Sequence, residues 1–169
     1  LVERFHDRTV MLGAAAALAV PLFVGAVAGA HWPVLLTLWV ALGAAGSLVL
    51  TPGGRLLRRS AHPVDLPALF AADFSLSHAC WLVCYPLAGW LATVAGMPVT
   101  LAALGVLTSA AAAVAVRVWP REDPDTVEHE HDHRTADREH VEGAVLIHGR
   151  WRHAHPYRID DLHERWPAA

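Results

Sequence analysis

Four apolar runs, each long enough to cross a lipid bilayer, fill the first two-thirds of the chain: Thr9 to Ala30, Pro33 to Leu50, Leu66 to Ala92 and Pro98 to Val118. Asp73, in the third, is the one carboxylate inside them. A helix rises about 1.5 Å per residue, so runs of this length cover the roughly 30 Å hydrocarbon core with some tilt. A helix that is apolar all round has to be buried in a large core or in lipid. A chain of 169 residues has no core that could hide four of them. The expected fold class is an all-α membrane protein, with four transmembrane helices in residues 1–119 and a partly disordered tail over 120–169.

Composition narrows the classes further. Hydrophobic residues make up 54% and charged ones 17%, which argues against one soluble all-α domain, and a formal charge of −3 is too small to imply nucleic acid as a partner. The lipid bilayer is the expected partner. The first run is too long for a cleavable signal peptide and lacks a small-residue cleavage signature followed by a soluble domain. Cys80 and Cys84 lie within the third run with three residues between them, so neither a disulfide framework nor a thioredoxin-type motif is indicated.

All thirteen basic residues are arginine, so arginine alone sets the orientation. Arg4 and Arg8 precede the first run, Arg55, Arg58 and Arg59 lie between the second and third, and Arg117 and Arg121 mark the exit of the fourth. The turns at His31 and Trp32 and around Gly96 to Pro98 carry none. Because basic residues are retained on the cytoplasmic side, both termini are expected there, in a multi-pass protein of the inner (plasma) membrane.

Local signals agree with these boundaries. Pro33, Pro67 and Pro98 sit at run starts, where a missing N–H costs nothing, and Asp65 is placed to cap the third helix. Pro21 and Pro86 lie inside runs and should bend them. Gly25 with Gly29, Gly43 with Ser47 and Gly105 with Ser109 repeat small residues every four positions, which lets helices approach closely.

The third run holds nearly all the intramembrane polar chemistry. At about 100° per residue, Asp73, Ser77, Cys80 and Cys84 fall within roughly 60° of one another. His78 and Tyr85 share a second stripe with Phe74 and Trp81. A carboxylate at this depth costs about 2.5 kcal/mol or more, so Asp73 should face water or a partner. It either titrates on a transport path or anchors structure by pairing with Arg58 or Arg59. The candidate path residues are Asp73, Ser77, His78 and Tyr85.

These segments resemble a known family. SLSHACWLVCYPLAGWLA is similar to the penultimate transmembrane helix of major facilitator superfamily (MFS) transporters, and TLWVALGAAGSLVLTPGGRLLRRS to the helix before it with its cytoplasmic connection. RFHDR is similar to the basic Asp-Arg loop between the second and third helices of each half, keeping Asp7 and Arg8. The resemblance covers residues 1 to 120. It implies the last four of twelve helices in an alternating-access transporter built from two six-helix halves. The remaining helices, or a partner subunit, would then complete the path. Leu1, where an initiator Met is expected, points to a truncated or alternatively started chain.

From Pro120 the chain is charged and poor in apolar residues, with eight of the twelve histidines, and should start disordered. His129, His131 and His133 alternate with acidic residues, so an extended chain points all three imidazoles one way. Ala144 to His148 and Trp151 to Ile159 read as a hairpin around Gly149 and Arg150, which would put His148, His153 and His155 on one face. Asp160 to Trp166 reads as a final helical turn presenting His163. Neutral imidazoles suit zinc, nickel, cobalt or copper, and the spacing fits no closed zinc finger, so an exchangeable site is expected at His129, His131, His133, His148, His153 and His155. The resembled family includes members with His-rich tails. No resident cofactor is required.

Two functions follow. The first is transmembrane transport, proton-coupled through Asp73 and His78, with the tail as a metal sensor or buffer. The second is a small four-helix membrane protein that binds divalent metal through its tail. An enzyme is not expected, because Cys80 and Cys84 lie too deep for a membrane oxidoreductase.

Overall fold

The computed structural model describes residues 6–28, 31–121, 123–124, 126–132, 141, 143–163 and 165–166. The elements are α1 (Asp7–Ala28), α2 (Trp32–Leu50), α3 (Gly53–Ser60), α4 (Leu66–Ala95), α5 (Met97–Val118), β1 (Thr126–Asp132), β2 (Val145–Ile147) and β3 (Arg150–Pro156). α1, α2, α4 and α5 are long and apolar enough to cross a membrane. They coincide with the four apolar runs, although α1 begins two residues earlier and α4 runs on to Ala95. Arg4, Gly29 and His133 lie outside the described residues.

Contacts divide the chain into two compact units. One comprises Leu1–Gly54 and Ala71–Arg121. Within it α1 packs against both α2 and α5. Glycine makes that closeness available: a Cβ on Gly25 would lie 3.0 Å from Leu38 and 3.1 Å from Leu101, and one on Gly105 would lie 3.0 Å from the Phe23 ring. Gly43 has nothing within 4 Å of such an atom, so its small size serves no contact among the described residues. A Gly105→Leu replacement should therefore overpack the α1–α5 seam at a cost of about 1–3 kcal/mol. Thermal unfolding in detergent should show a lower midpoint; an unchanged one would mean that Phe23 swings aside freely.

Arg8 closes the end of this packing. Its Nε donates to the Trp119 carbonyl at 3.4 Å, and its Nη2 to the carbonyls of Trp119 at 3.3 Å and Val116 at 3.4 Å. The last carbonyls of a helix lack intrahelical partners and carry its partial negative charge, so a guanidinium suits them. Between α4 and α5 one residue makes the turn. The Gly96 N–H donates to Ala92 at 3.1 Å and its carbonyl accepts from Thr100 at 3.2 Å, at a φ of 83° that glycine tolerates without penalty. α1 and α4 stay helical through Pro21 and Pro86. No residue of α4 is buried.

The other unit comprises Arg55–Phe70 and Glu122–Ala169, so the connection before α4 groups with the tail and not with the membrane helices. The reason is a set of specific bonds. Arg59 Nη2 donates to both carboxylate oxygens of Asp123 at 2.6 Å, and its guanidinium lies 5.3 Å from the Trp166 ring centre. The Ile159 N–H donates to the Arg59 carbonyl at 3.2 Å, and His62 Nε2 lies 2.9 Å from Asp161 Oδ1. Arg59 is thus the partner of Asp123, where Asp73 was a candidate.

The tail is more ordered than its charge suggested. β1, β3 and β2 form an antiparallel sheet in that order. Strict alternation in TVEHEHD and RWRHAHP gives two dissimilar faces, with Glu130 opposite Arg152 and His129 opposite His153. On the charged face Arg152 pairs with Glu128 at 3.3 Å and Arg150 with Glu130 at 3.5 Å. Cross-strand pairing of opposite charges turns a sequence poor in apolar residues into a strand.

Candidate functional site

The second face of the sheet is lined by imidazoles. Val127, His129 and His131 of β1 lie opposite His155, His153 and Trp151 of β3, and Leu146 of β2 lies beside Trp151. The hairpin turn falls at His148 and Gly149, one residue earlier than expected, with Ile147 paired to Arg150. φ is 51° at His148 and 80° at Gly149, the two positive values that a type I′ turn requires. His148 is thereby spent in the turn and does not share the face of His153 and His155.

A fifth imidazole joins from beyond the sheet. Asp160 Oδ1 accepts the N–H groups of Leu162 at 3.0 Å and His163 at 2.9 Å, and Asp160 and His163 exchange backbone bonds at 3.2 and 3.1 Å. This is a tight capped turn, where a helical one was expected. It delivers His163 into the cluster at 3% exposure. Tyr157, 6% exposed, walls the site: its ring lies 4.6 Å from His163 and 5.1 Å from His129, and its hydroxyl donates to the Arg165 carbonyl at 2.9 Å.

Among the described residues, two groups of three could hold a metal ion: His129, His131 and His153, and His129, His155 and His163. In each the ligand atoms all lie within 4.8 Å of one another. Four of the six sequence-predicted ligands, His129, His131, His153 and His155, are thus brought together. His163 joins them; the Asp three residues before it, in a capping position, was its only signal in the sequence.

Hydrogen bonds fix the tautomers of three rings. His129 Nδ1 lies 3.0 Å from the Val127 carbonyl, His155 Nδ1 lies 2.9 Å from the Pro156 carbonyl, and His163 Nδ1 lies 2.8 Å from Asp160 Oδ1. Carbonyls and carboxylates only accept, so each Nδ1 carries a proton and Nε2 is the atom left to meet a ligand. Yet Nε2 of His129 and Nε2 of His163 face each other at 2.9 Å. At that distance either a proton on one of the two nitrogens or a metal ion shared by both lies between them. Two nitrogens on one metal ion at about 2.0–2.1 Å stand roughly 3.3–3.4 Å apart at the tetrahedral angle and roughly 2.8–3.0 Å apart at a right angle.

Electrostatics favour a neutral His129. Burial lowers its pKa, as do the His163 and His155 rings, against the Val127 carbonyl and the Asp160 charge. Burial alone would raise the Asp160 carboxyl, but bonds from the His163 ring and the Leu162 and His163 N–H groups hold it below the usual range. The Tyr157 hydroxyl is raised, by burial and then by Asp160.

The intramembrane residues sit on α4. Phe74, His78, Trp81 and Tyr85 form an aromatic ladder with ring centres 3.8, 4.7 and 6.2 Å apart in turn. His78 Nδ1 donates to the Phe74 carbonyl at 2.7 Å, and Ser77 Oγ donates to the same carbonyl at 2.9 Å. Asp73, Ser77, His78 and Tyr85 are all exposed, as are Cys80 and Cys84.

Comparison with known proteins places the chain in a family. It matches the family model of the Major Facilitator Superfamily over residues 1–158. No curated protein and no solved structure matches it significantly. With four membrane-spanning helices and a match over most of its length, the chain is a multi-pass membrane protein of transporter type and belongs to the Major Facilitator Superfamily.

Proposed function

We propose that the chain serves secondary transport in the inner (plasma) membrane as the last four of twelve helices, and that its tail binds one divalent first-row transition metal on the cytoplasmic side. The observation that carries the metal reading is the convergence of His129, His155 and His163, whose ligand atoms all lie within 4.8 Å of one another, with Nε2 of His129 and His163 2.9 Å apart. Imidazole donors suit zinc, nickel, cobalt and copper. The arginine pattern and the return of four spans to one side support cytoplasmic termini. Asp73 and His78 are the groups for proton coupling, because an ionisable side chain in a span marks a proton or substrate path.

The test is calorimetric titration of the full chain in detergent with nickel or zinc at pH 7.5. Binding at micromolar or tighter affinity is expected; heat no larger than that of a His129→Ala, His163→Ala variant would end the metal reading. Asp160→Asn gives a finer check. Asn keeps an oxygen for the Leu162 and His163 N–H groups but loses the charge behind His163, and removal of such an outer partner typically weakens metal binding about 10–100-fold. An unchanged dissociation constant would show that Asp160 only shapes the turn.

A further inference from the structure

The segment that carries His163 also holds the connection before α4. Asp160 orients the His163 ring at 2.8 Å, and the residues on either side of it bind that connection. The Ile159 N–H donates to the Arg59 carbonyl at 3.2 Å, and Asp161 Oδ1 lies 2.9 Å from His62 Nε2. A second route runs through rings. Tyr157 lies 4.6 Å from His163 and 5.0 Å from Trp166, and the Arg59 guanidinium lies 5.3 Å from the Trp166 ring centre. The connection in turn leads into α4: the Asp65 N–H donates to the His62 carbonyl at 2.9 Å, and the Leu69 N–H to the Asp65 carbonyl at 3.0 Å. Arg59 and His62 belong to neither group of metal ligands, so they act on an ion only through the placement of His163. Of the two, Arg59 should matter more. Its pair with Asp123 is 12% and 15% exposed, whereas Asp161, facing His62, is 95% exposed and screened by solvent.

Resting on the metal-binding reading above, we propose that the histidine cluster and the connection between α3 and α4 are linked. A divalent transition metal with His163 among its ligands fastens the Asp160 turn, and the fastened turn clamps Arg59 and His62 at the entry to α4. The physical cause is a shared segment. Ion and connection both need Tyr157 to Trp166 in one conformation, and the entropy of ordering it is lost once, so whichever binds first eases the second. The tail thereby reports metal to the helix that carries Asp73. Such coupling is reciprocal and typically amounts to roughly 5- to 150-fold.

The experiment is zinc titration of the full chain in detergent, with hydrogen exchange followed on the same samples. Zinc should slow exchange of the Ile159 amide and of the Asp65 amide, the latter within the connection, by about fivefold or more. Arg59→Gln keeps the carbonyl that accepts from Ile159 but gives up the contacts to Asp123 and Trp166. It should weaken zinc binding by a factor similar to the one zinc adds at Asp65; His62→Ala should weaken it less. Matching factors are what reciprocity demands, and a residue that merely shapes the tail would not produce them. Zinc bound at wild-type strength by both variants would overturn the linkage while leaving metal binding intact. Weaker binding by Arg59→Gln, with Asp65 exchange indifferent to zinc in the wild type, would overturn it too. No zinc bound by the wild type would overturn both readings.

Discussion

An Asp73→Asn chain should insert in the membrane as the wild type does and lose uptake driven by a pH gradient. Asp73 sits on α4, the spanning helix with no buried residue. A carboxylate within a span costs about 2.5 kcal/mol or more, a cost relieved by water or by taking up a proton. Arg59, one of its candidate structural partners, is instead bound to Asp123 through both carboxylate oxygens at 2.6 Å. A titrating role and an anchoring one are the two alternatives. Asn matches Asp in shape and cannot exchange a proton, so the substitution separates the two roles. Uptake into reconstituted vesicles, with membrane insertion checked on the same sample, is the measurement; wild-type uptake by Asp73→Asn would take Asp73 out of the mechanism.

The second large effect is on pH. Metal binding requires neutral imidazoles, so affinity should fall as pH falls from 7.5 to 5.5. An imidazole at the reference value of about 6.5 loses about tenfold of its neutral form over that range. His129 contributes less, because burial and the neighbouring rings hold its pKa below 6.5 and it resists protonation longer. A loss of at least about tenfold is expected. Asp160, held below the usual carboxyl range, stays ionised at pH 5.5, so the loss belongs to the rings and not to the turn. The sign for the metal-free fold is the same. Above pH 6.5 His129 is neutral folded or unfolded; as pH drops past 6.5 toward its lowered value the unfolded chain takes the proton first, and stability is lost. Calorimetry at the two pH values checks the affinity, and an affinity independent of pH would exclude imidazole ligation.

The membrane part was legible because its signal is local. Hydropathy over some 20 residues located all four spans, and α4's wheel foretold the ladder of Phe74, His78, Trp81 and Tyr85, since neighbours three or four apart on a helix must meet. The same period-2 rule put His129 and His131 on one side of β1. Two things resisted. Charge density in the tail hid β1, because its partner strand starts 18 residues beyond its end, with Asp132 paired to Arg150, and cross-strand bonds leave no mark in either strand alone. The hairpin was placed one residue late, because His148 adopts a positive φ that propensity assigns to glycine.

Residue order along the chain was enough to locate the spans and the alternation of imidazole with charge, each a matter of near neighbours. Folding in space decided that His129 would face His153 across a ladder and meet His163 brought back by the Asp160 turn. Strand register and turn geometry are long-range choices, and the apposed nitrogens, on which the metal chemistry depends, exist only once both have been made.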